Sequence, residues 1–145
     1  MSAEENKAAA RRFFVDAFGE GKLEVLDEIL AADAVAHDPA NPQYTGGSES
    51  AKGLVSMYRS AFPDLRFEID DMISEGDMVA TRWTASGTHE GDLPDIPATG
   101  RRSTVSGITI DRFEGGKVTE SWTNWDTLGM LQQLGVIPAP ETAEA

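Results

Sequence analysis

Two long segments in the second half of the chain alternate between apolar and polar residues, which is the pattern of strands with two different faces. The segments are 65–91 and 101–126, and each is interrupted near its middle by a glycine-containing turn. The turns fall at residues 75–77 and 114–117, with the sequences EGD and EGGK. The pattern therefore predicts four long strands arranged as two antiparallel hairpins.

Apolar residues in the first half follow helical spacing instead. Ser2 followed by two acidic residues is typical of a helix start. A second helix is predicted over 23–33, and Ser48 is predicted to cap a third helix over 49–62. A loop over 34–47 separates these two helices, and a short final helix follows the last strand. Helices that precede an antiparallel sheet predict an α+β domain.

One domain accounts for this pattern. We expect a single domain over residues 1–137, with N-terminal helices packed on a curved antiparallel sheet, and a flexible tail over 138–145. A curved sheet covered by helices on one face leaves a conical cavity, which is a usual place for a ligand. The loops 38–47 and 91–100 are expected to shape that cavity.

The charge and composition of the chain limit its partners. The 145 residues carry a net charge of −13, so nucleic acid and anionic membranes are not expected as partners, because phosphate binding needs clustered Lys and Arg. There is no cysteine, which excludes disulfides and thiolate catalysis. No apolar run approaches the roughly 20 residues that span a bilayer, and the N-terminus is too charged for a secretory signal. We therefore expect a cytoplasmic protein.

The last predicted strand leads to a carboxylate. If its residues alternate regularly, Trp122, Asn124 and Asp126 share one face, while Thr123 and Trp125 share the other. We expect the first face to line the cavity, with Trp122 and Asn124 as substrate-binding residues. Asp126 is then a candidate catalytic residue, because removal from water makes a carboxylate a stronger base. The alternatives are that Asp126 only caps the final helix, as Asp often does, or that it is simply exposed on the surface. Capping and catalysis can also coexist.

Three further side chains are candidates for acid–base or oxyanion chemistry. His37 follows the second helix and His89 ends a strand, and either could act as an acid, a base or a hydrogen-bond donor. Arg82 shares a strand face with Thr84, and inside a cavity it could polarise a carbonyl or pair with Asp126. The alternatives are loop histidines without a catalytic task and an arginine exposed on the outer face of the sheet.

A few other residues complete the predicted site. Thr84, Tyr58 and Phe62 are expected to be substrate-binding residues. The spacing of the two histidines matches no metal motif, so no metal site is predicted. The chain contains no G-x-S-x-G sequence, no P-loop and no dinucleotide fingerprint, and no cofactor is predicted.

Four segments together resemble a known family. They are 62–64, 87–91, 98–102 and 126–135, with the sequences FPD, GTHEG, ATGRR and DTLGMLQQLG. With the strands between them, they are similar to the SnoaL-like polyketide cyclases, the predicted ester cyclases of the NTF2-like superfamily. The resemblance covers nearly the whole chain. It implies a cone-shaped α+β barrel with one pocket, commonly assembled into dimers or tetramers.

The resemblance also implies a reaction. In the characterised cyclases, an aspartate after the tryptophan-bearing last strand is the general acid/base of an intramolecular aldol ring closure, with no metal or cofactor. That aspartate corresponds to Asp126. A histidine on the preceding strand of the cyclases has no counterpart in residues 109–113. The resemblance implies a lyase or isomerase that cyclises or isomerises a polyketide-like or other hydrophobic carbonyl compound. This small molecule is also the expected partner of the protein.

Two other functions stay open at this point. Because the strand histidine is missing, the chain is alternatively a binding protein for a hydrophobic small molecule, without catalysis. It also resembles the limonene-epoxide-hydrolase-like enzymes, since Arg82 and Asp126 match two of their three catalytic residues and Thr84 stands in the place of the third. A homodimer is expected, with the outer sheet face around Thr123 and Trp125 as its surface.

Overall fold

A computed structural model of the chain describes residues 2–138, which form helices around a five-stranded sheet. The predicted tail over 138–145 lies outside these described residues, except for Pro138. In chain order, the elements are α1 (Ala3–Arg12), a π-helical segment (Phe13–Phe18), α2 (Glu24–Ile29), β1 (Leu30–His37), α3 (Gly47–Ala61), β2 (Arg66–Glu75), β3 (Met78–Thr88), β4 (Arg102–Glu114), β5 (Lys117–Trp125) and α4 (Thr127–Gln133).

Both predicted hairpins are present. β2 pairs with β3, and β4 pairs with β5, in antiparallel fashion. β3 and β4 join the two hairpins by a continuous antiparallel ladder, which runs from the pair Met78 and Arg112 to the pair Thr88 and Arg102. The order of strands across the sheet is β1-β5-β4-β3-β2.

The first strand, β1, departs from the prediction. We predicted a helix over 23–33 followed by a loop, but α2 ends at Ile29 and the chain continues directly as a strand. β1 lies parallel to β5, with Leu30 opposite Val118. Alanine-rich segments favour helix by local propensity, but here pairing with the open edge of β5 outweighs that preference. The sheet is therefore mixed, with one parallel edge strand on an antiparallel meander.

The N-terminal helix has the predicted start. Ser2 Oγ accepts the Glu5 backbone N–H at 3.1 Å, and Glu5 Oε1 accepts the Ser2 backbone N–H at 3.0 Å, which together form a capping box. After α1 the helix widens into the π-helical segment, in which Phe14 and Phe18 are buried against Phe67 of the sheet. This segment anchors the N-terminal helix to the inner face of the sheet.

The third helix starts differently from the prediction. α3 begins at Gly47, and Gly46 occupies the N-cap position without a side-chain hydrogen bond. The Ser48 hydroxyl donates instead to the Asp27 carboxylate on α2. Ser48 therefore links two helices rather than capping one.

The helices cover the inner face of the sheet and enclose the core with it. Buried apolar residues of α1, α2, α3 and the π-helical segment pack with Val79, Phe113 and Val118 from the strands. This arrangement confirms the predicted α+β architecture, with N-terminal helices packed on a curved sheet.

Within residues 2–138, none of the helices combines the length and the apolar character that crossing a bilayer requires. The cytoplasmic location expected from the sequence stays a prediction.

Candidate functional site

The space between the helices and the inner face of the sheet forms a cavity that is open to solvent. Together with its opening to solvent, this space amounts to about 960 Å³. Its walls are mainly aromatic and aliphatic, with Phe14, Phe67, Trp83 and Trp125 among the large side chains. A small number of polar residues interrupts these walls. Apolar walls with a few polar groups are typical of a small-molecule site.

A β-bulge in the last hairpin decides which face of β5 enters the cavity. The register shifts between Arg112, which lies opposite Glu120, and Phe113, which lies opposite Val118. One extra residue of β5 is therefore inserted at Thr119, and the side chains beyond it change faces.

The bulge reverses the predicted faces of β5. Ser121, Thr123 and Trp125 line the cavity, whereas Trp122 and Asn124 lie on the outer face of the sheet. The prediction that Trp122 and Asn124 face the cavity is therefore wrong, and so is the placement of Thr123 and Trp125 on the outer surface. The prediction assumed unbroken alternation, which the inserted residue interrupts.

Asp111 brings a carboxyl group into the cavity from β4. The residue is only 6% exposed, and its register partner on β5 is Ser121. Among residues 2–138, no hydrogen-bond donor is paired with the Asp111 carboxyl, so burial acts on it alone and raises its pKa to about 7. A carboxyl group with a pKa near neutrality can both take and return a proton at physiological pH.

A phenol lies next to this carboxyl group. Tyr44 comes from the loop after β1 and is buried, with its hydroxyl beside Ser121 and within electrostatic reach of Asp111. Burial and, to a smaller extent, the charge of Asp111 raise the pKa of Tyr44, so its hydroxyl keeps its proton. A protonated phenol beside the acid/base group can donate a hydrogen bond to an oxyanion.

A second carboxyl group in the cavity wall belongs to Asp38. The Tyr58 hydroxyl donates to Asn41 Oδ1 at 2.8 Å, and Asn41 Nδ2 donates to Asp38 Oδ2 at 3.1 Å. Asp38 Oδ1 accepts the backbone N–H of Ala40 at 3.1 Å. Burial raises the pKa of Asp38, while these hydrogen bonds act in the opposite direction. Asp38 and Asp111 therefore lie in one cavity but in different environments.

Asp126 caps the final helix. It is exposed, it occupies the N-cap position of α4, and its Oδ1 accepts the Gly129 N–H at 2.9 Å. A Cβ atom at Gly129 would lie 2.1 Å from Asp126 Oδ2, so a larger residue there would displace the carboxylate from its capping position. The predicted capping by Asp126 is therefore confirmed. Asp126 is not part of the cavity wall, so this placement does not support its predicted catalytic role.

Arg82 and Thr84 lie on the outer face of β3. Arg82 forms a bidentate ion pair with Asp71, with Nε 3.2 Å from Oδ1 and Nη2 2.8 Å from Oδ2. Thr84 Oγ1 donates to Asp70 Oδ2 at 2.7 Å. Neither side chain faces the cavity, because Trp83, between them, occupies the inner face. Arg82 is therefore the exposed arginine of the alternative interpretation, and the prediction that Thr84 contacts the substrate is not supported. The geometric basis for an epoxide-hydrolase-like site is therefore absent at these two residues.

His37 also lies outside the cavity wall. It ends β1, and its Nε2 is 2.7 Å from Glu120 Oε2, while Arg112 Nη2 is 2.7 Å from the other oxygen of Glu120. The His37 ring stacks on Trp122, with ring centroids 5.6 Å apart. His37 thus belongs to a charged and aromatic cluster on the outer face of the sheet, away from its predicted position in the pocket.

His89 is fully buried and anchors the loop that follows β3. Its Nδ1 accepts the Thr99 backbone N–H at 3.2 Å and lies 3.0 Å from Thr99 Oγ1, which ties the segment after β3 back to that strand. Its ring packs on Phe62, with centroids 5.3 Å apart. Burial lowers the pKa of His89, which favours a neutral ring at pH 7. His89 does not line the cavity, so the structure gives it a structural role where we predicted a catalytic one.

Tyr58 and Phe62 occupy the place expected for substrate-binding residues. Tyr58 extends from α3, Phe62 follows the end of that helix, and both line the cavity. The Tyr58 ring lies edge-on to Trp125, with centroids 6.3 Å apart. Their contact with a substrate stays a prediction.

The polar residues Asp111, Asp38 and Tyr44 of the cavity were not identified as site residues from the sequence. Asp111 carries a usable signal, since regular alternation along β4 places it on the same face as the buried Phe113. A carboxyl group on a buried face is a functional candidate. Asp38 and Tyr44 carry no such signal, because they belong to a loop whose path over the cavity depends on tertiary structure.

Metal ligands do not cluster in the part of the chain that the structure describes. There, no group of three or more His, Asp or Glu side chains is placed so that it could hold a metal ion.

Comparisons with known proteins agree with this fold. The family model of the SnoaL-like polyketide cyclases matches residues 8–134. An aklanonic acid methyl ester cyclase from Streptomyces sp. (strain C5) is 31% identical over 137 residues, covering 90% of this chain and 83% of that protein. The structure of TsrD from Streptomyces laurentii superposes with a TM-score of 0.84 at 31% identity, covering 94% of this chain and 99% of that one. An NTF2-like protein from Burkholderia pseudomallei shares the fold, with a TM-score of 0.72 at 21% identity and coverage of 92% and 98%.

Proposed function

Because this chain belongs to the SnoaL-like polyketide cyclase family, we propose that it cyclises a polyketide-like carbonyl compound by acid–base chemistry without a cofactor. The observation that carries the proposal is the buried carboxyl group of Asp111, which lies in an aromatic cavity and has a pKa of about 7. We assign the general acid/base role to Asp111 rather than to Asp126, which caps a helix outside the cavity wall.

The reaction needs one group that removes a proton and later returns it. The Asp111 carboxylate takes a proton from a carbon next to a carbonyl, which leaves an enolate. The enolate carbon attacks a second carbonyl carbon of the same molecule, so a carbon–carbon bond forms and an electron pair moves to the carbonyl oxygen. The resulting alkoxide takes the proton back from Asp111. The product is therefore an isomer of the substrate.

Hydroxyl groups beside Asp111 stabilise the charge that develops on oxygen. Tyr44 keeps its proton and lies beside Ser121, so its hydroxyl can donate to the enolate or alkoxide. The aromatic walls hold the extended molecule so that its two reacting carbons meet. Acid–base catalysis of this kind contributes on the order of 10²–10⁴ to a rate.

Turnover of aklanonic acid methyl ester, the compound in the name of one relative, tests this proposal. Liquid chromatography with mass spectrometry is expected to show a product of unchanged mass and different retention time. Asp111→Asn is expected to reduce the rate by about a hundredfold or more, because it removes the proton acceptor. Asp126→Asn is expected to retain most of the rate. Activity that survives in Asp111→Asn but is lost in Asp126→Asn would reverse the assignment.

The same compound distinguishes catalysis from binding alone. A calorimetric titration measures whether the wild-type protein binds the ester, and chromatography measures whether the ester changes over several hours. Tight binding of an ester that stays unchanged would favour the alternative of a binding protein. Conversion to an isomer, lost in Asp111→Asn, supports the cyclase.

The outer face of the sheet is the surface that we propose for a homodimer. Ile108 and Ile110 on β4 are 50% and 37% exposed, and Trp122 lies opposite Ile110 on β5. Aliphatic and aromatic side chains gathered on an open sheet favour association with a second copy. Light scattering is expected to give twice the mass of one chain, and Ile110→Lys is expected to give a monomer. A monomeric wild-type protein would contradict the proposal.

A further inference from the structure

The hydrogen-bonded chain from Tyr58 through Asn41 to Asp38 has a fixed direction. Tyr58 has one hydroxyl proton and gives it to Asn41 Oδ1 at 2.8 Å. Asn41 gives an amide proton to Asp38 Oδ2 at 3.1 Å, so the chain ends on a carboxylate. Asp38 Oδ1 accepts the Ala40 N–H, and each oxygen keeps a further lone pair. The Asp38 end of the chain therefore presents hydrogen-bond acceptors to the cavity.

The surroundings of this carboxylate favour a ligand that brings an additional hydrogen-bond donor. Asp38 and Asn41 are buried, and both line the cavity together with aromatic side chains. An apolar ligand atom placed against Asp38 displaces water from the carboxylate without replacing its hydrogen bonds, which is unfavourable. A ligand hydroxyl at the same place replaces them.

We propose that Asp38 is a specificity residue that accepts a hydrogen bond from a free hydroxyl group of the ligand, with Asn41 and Tyr58 as the residues that position it. The cavity then selects a hydroxylated aromatic compound over the same compound with hydrogen or a methyl ether in place of the hydroxyl. The proposal deepens the proposed function, since it rests on the same cavity binding a small molecule. It concerns affinity rather than turnover.

Calorimetric titration with three related compounds tests the proposal. 2-Naphthol has the hydroxyl donor, naphthalene lacks the group, and 2-methoxynaphthalene keeps the oxygen without the proton. We expect the wild-type protein to bind 2-naphthol about tenfold to a hundredfold more tightly than either of the other two. Asp38→Asn keeps the shape of the side chain and removes the charge. It is expected to reduce this preference to about threefold or less, with the affinity for naphthalene unchanged.

A second variant and a matched control complete the test. Tyr58→Phe removes the first donor of the chain and is expected to lower the preference for 2-naphthol while the affinity for naphthalene stays the same. Ser103→Ala is the control, because Ser103 also lines the cavity but lies outside the chain. It is expected to keep the full preference. Circular dichroism checks that each variant is folded. If Asp38→Asn does not fold, Tyr58→Phe alone tests the proposal.

Several results would overturn the proposal. Equal affinity of the wild-type protein for the three compounds would do so, and so would failure to bind any of them. A preference that persists in Asp38→Asn, or that is lost in Ser103→Ala, would place the hydroxyl group elsewhere. Because only binding is measured, such a failure leaves the proposed cyclisation intact. A protein that binds with the expected preference but has no cyclase activity would refute the proposed function alone.

Discussion

Asp111 on β4 lies directly opposite Ser121 on β5, and both side chains line the cavity. The pairing depends on the bulge at the turn end of the hairpin, since regular alternation from the buried Val118 would turn Ser121 outward. The bulge therefore brings a hydroxyl group, and with it the Tyr44 phenol, to the buried carboxyl group.

The rate of cyclisation is expected to follow the ionisation of Asp111. Its pKa is about 7, and the proton acceptor is the ionised form. The ratio kcat/KM is therefore expected to rise about tenfold per pH unit below pH 7 and to level off above it. Initial rates between pH 5 and 9 measure this profile. A residual rate in Asp111→Asn without that rise is the control, and a flat wild-type profile would contradict the assignment.

The stability of the protein is expected to depend on the same group. Folding raises the pKa of Asp111 from the ordinary value of 3.8 to about 7, so the folded state binds this proton more tightly. The stabilisation is complete below about pH 4 and is lost as the pH rises through 7, a change of up to about 4 kcal/mol in the free energy of unfolding. Asp111→Asn lacks this titration. Urea unfolding is expected to show that the free energy of unfolding of Asp111→Asn rises relative to that of the wild type between pH 4 and pH 8. Parallel pH profiles of the two proteins would argue against a raised pKa.

The cap of α4 gives a separate prediction for stability. Asp126→Ala removes the acceptor for the Gly129 N–H and is expected to lower the free energy of unfolding by about 1 kcal/mol. Asp126→Asn keeps a capping oxygen and is expected to lose less. Urea unfolding of the two variants measures the difference. A larger loss in the Asn variant than in the Ala variant would contradict the capping role.

Gly107 lies where the wall of the cavity has no room for a side chain. A Cβ atom at this position would lie 2.4 Å from Trp83 Cζ2 and 2.6 Å from Trp125 Cβ. Gly107→Ala is therefore expected to cost about 1–3 kcal/mol of unfolding free energy and to weaken ligand binding, because both indoles line the cavity. Gly53→Ala on α3 is the control, since nothing lies within 4 Å of its Cβ position. It is expected to stabilise the protein by up to about 1 kcal/mol, because alanine favours helix.

The hairpins could be predicted from the sequence because their signals are local. Alternation and glycine-containing turns fix β2 to β5 within segments of about 25 residues. β1 could not be predicted in the same way, because the segment that starts at Leu30 is rich in alanine and becomes a strand only beside β5. Its conformation is decided by a neighbour that is distant in sequence.

The site was harder to predict than the fold, because one inserted residue reverses the face on which each later side chain of β5 lies. The alternation of β5 would place Trp122 and Asn124 inside, and the bulge at Thr119 places Ser121 and Trp125 there instead. A bulge leaves little trace in a single sequence. Regular alternation does hold along β4, and for that reason the burial of Asp111 could be predicted from the sequence.

The pairing of β1 with β5 also bears on how the molecule folds. Leu30 and Val118 face each other across these strands although they lie about ninety residues apart in the sequence, and both line the cavity. Contacts between such distant segments require a large loop to close first, so they form slowly compared with hairpins. We therefore expect the cavity to gain its last wall late in folding. A chain arrested before that step would hold its hairpins without being able to bind a ligand.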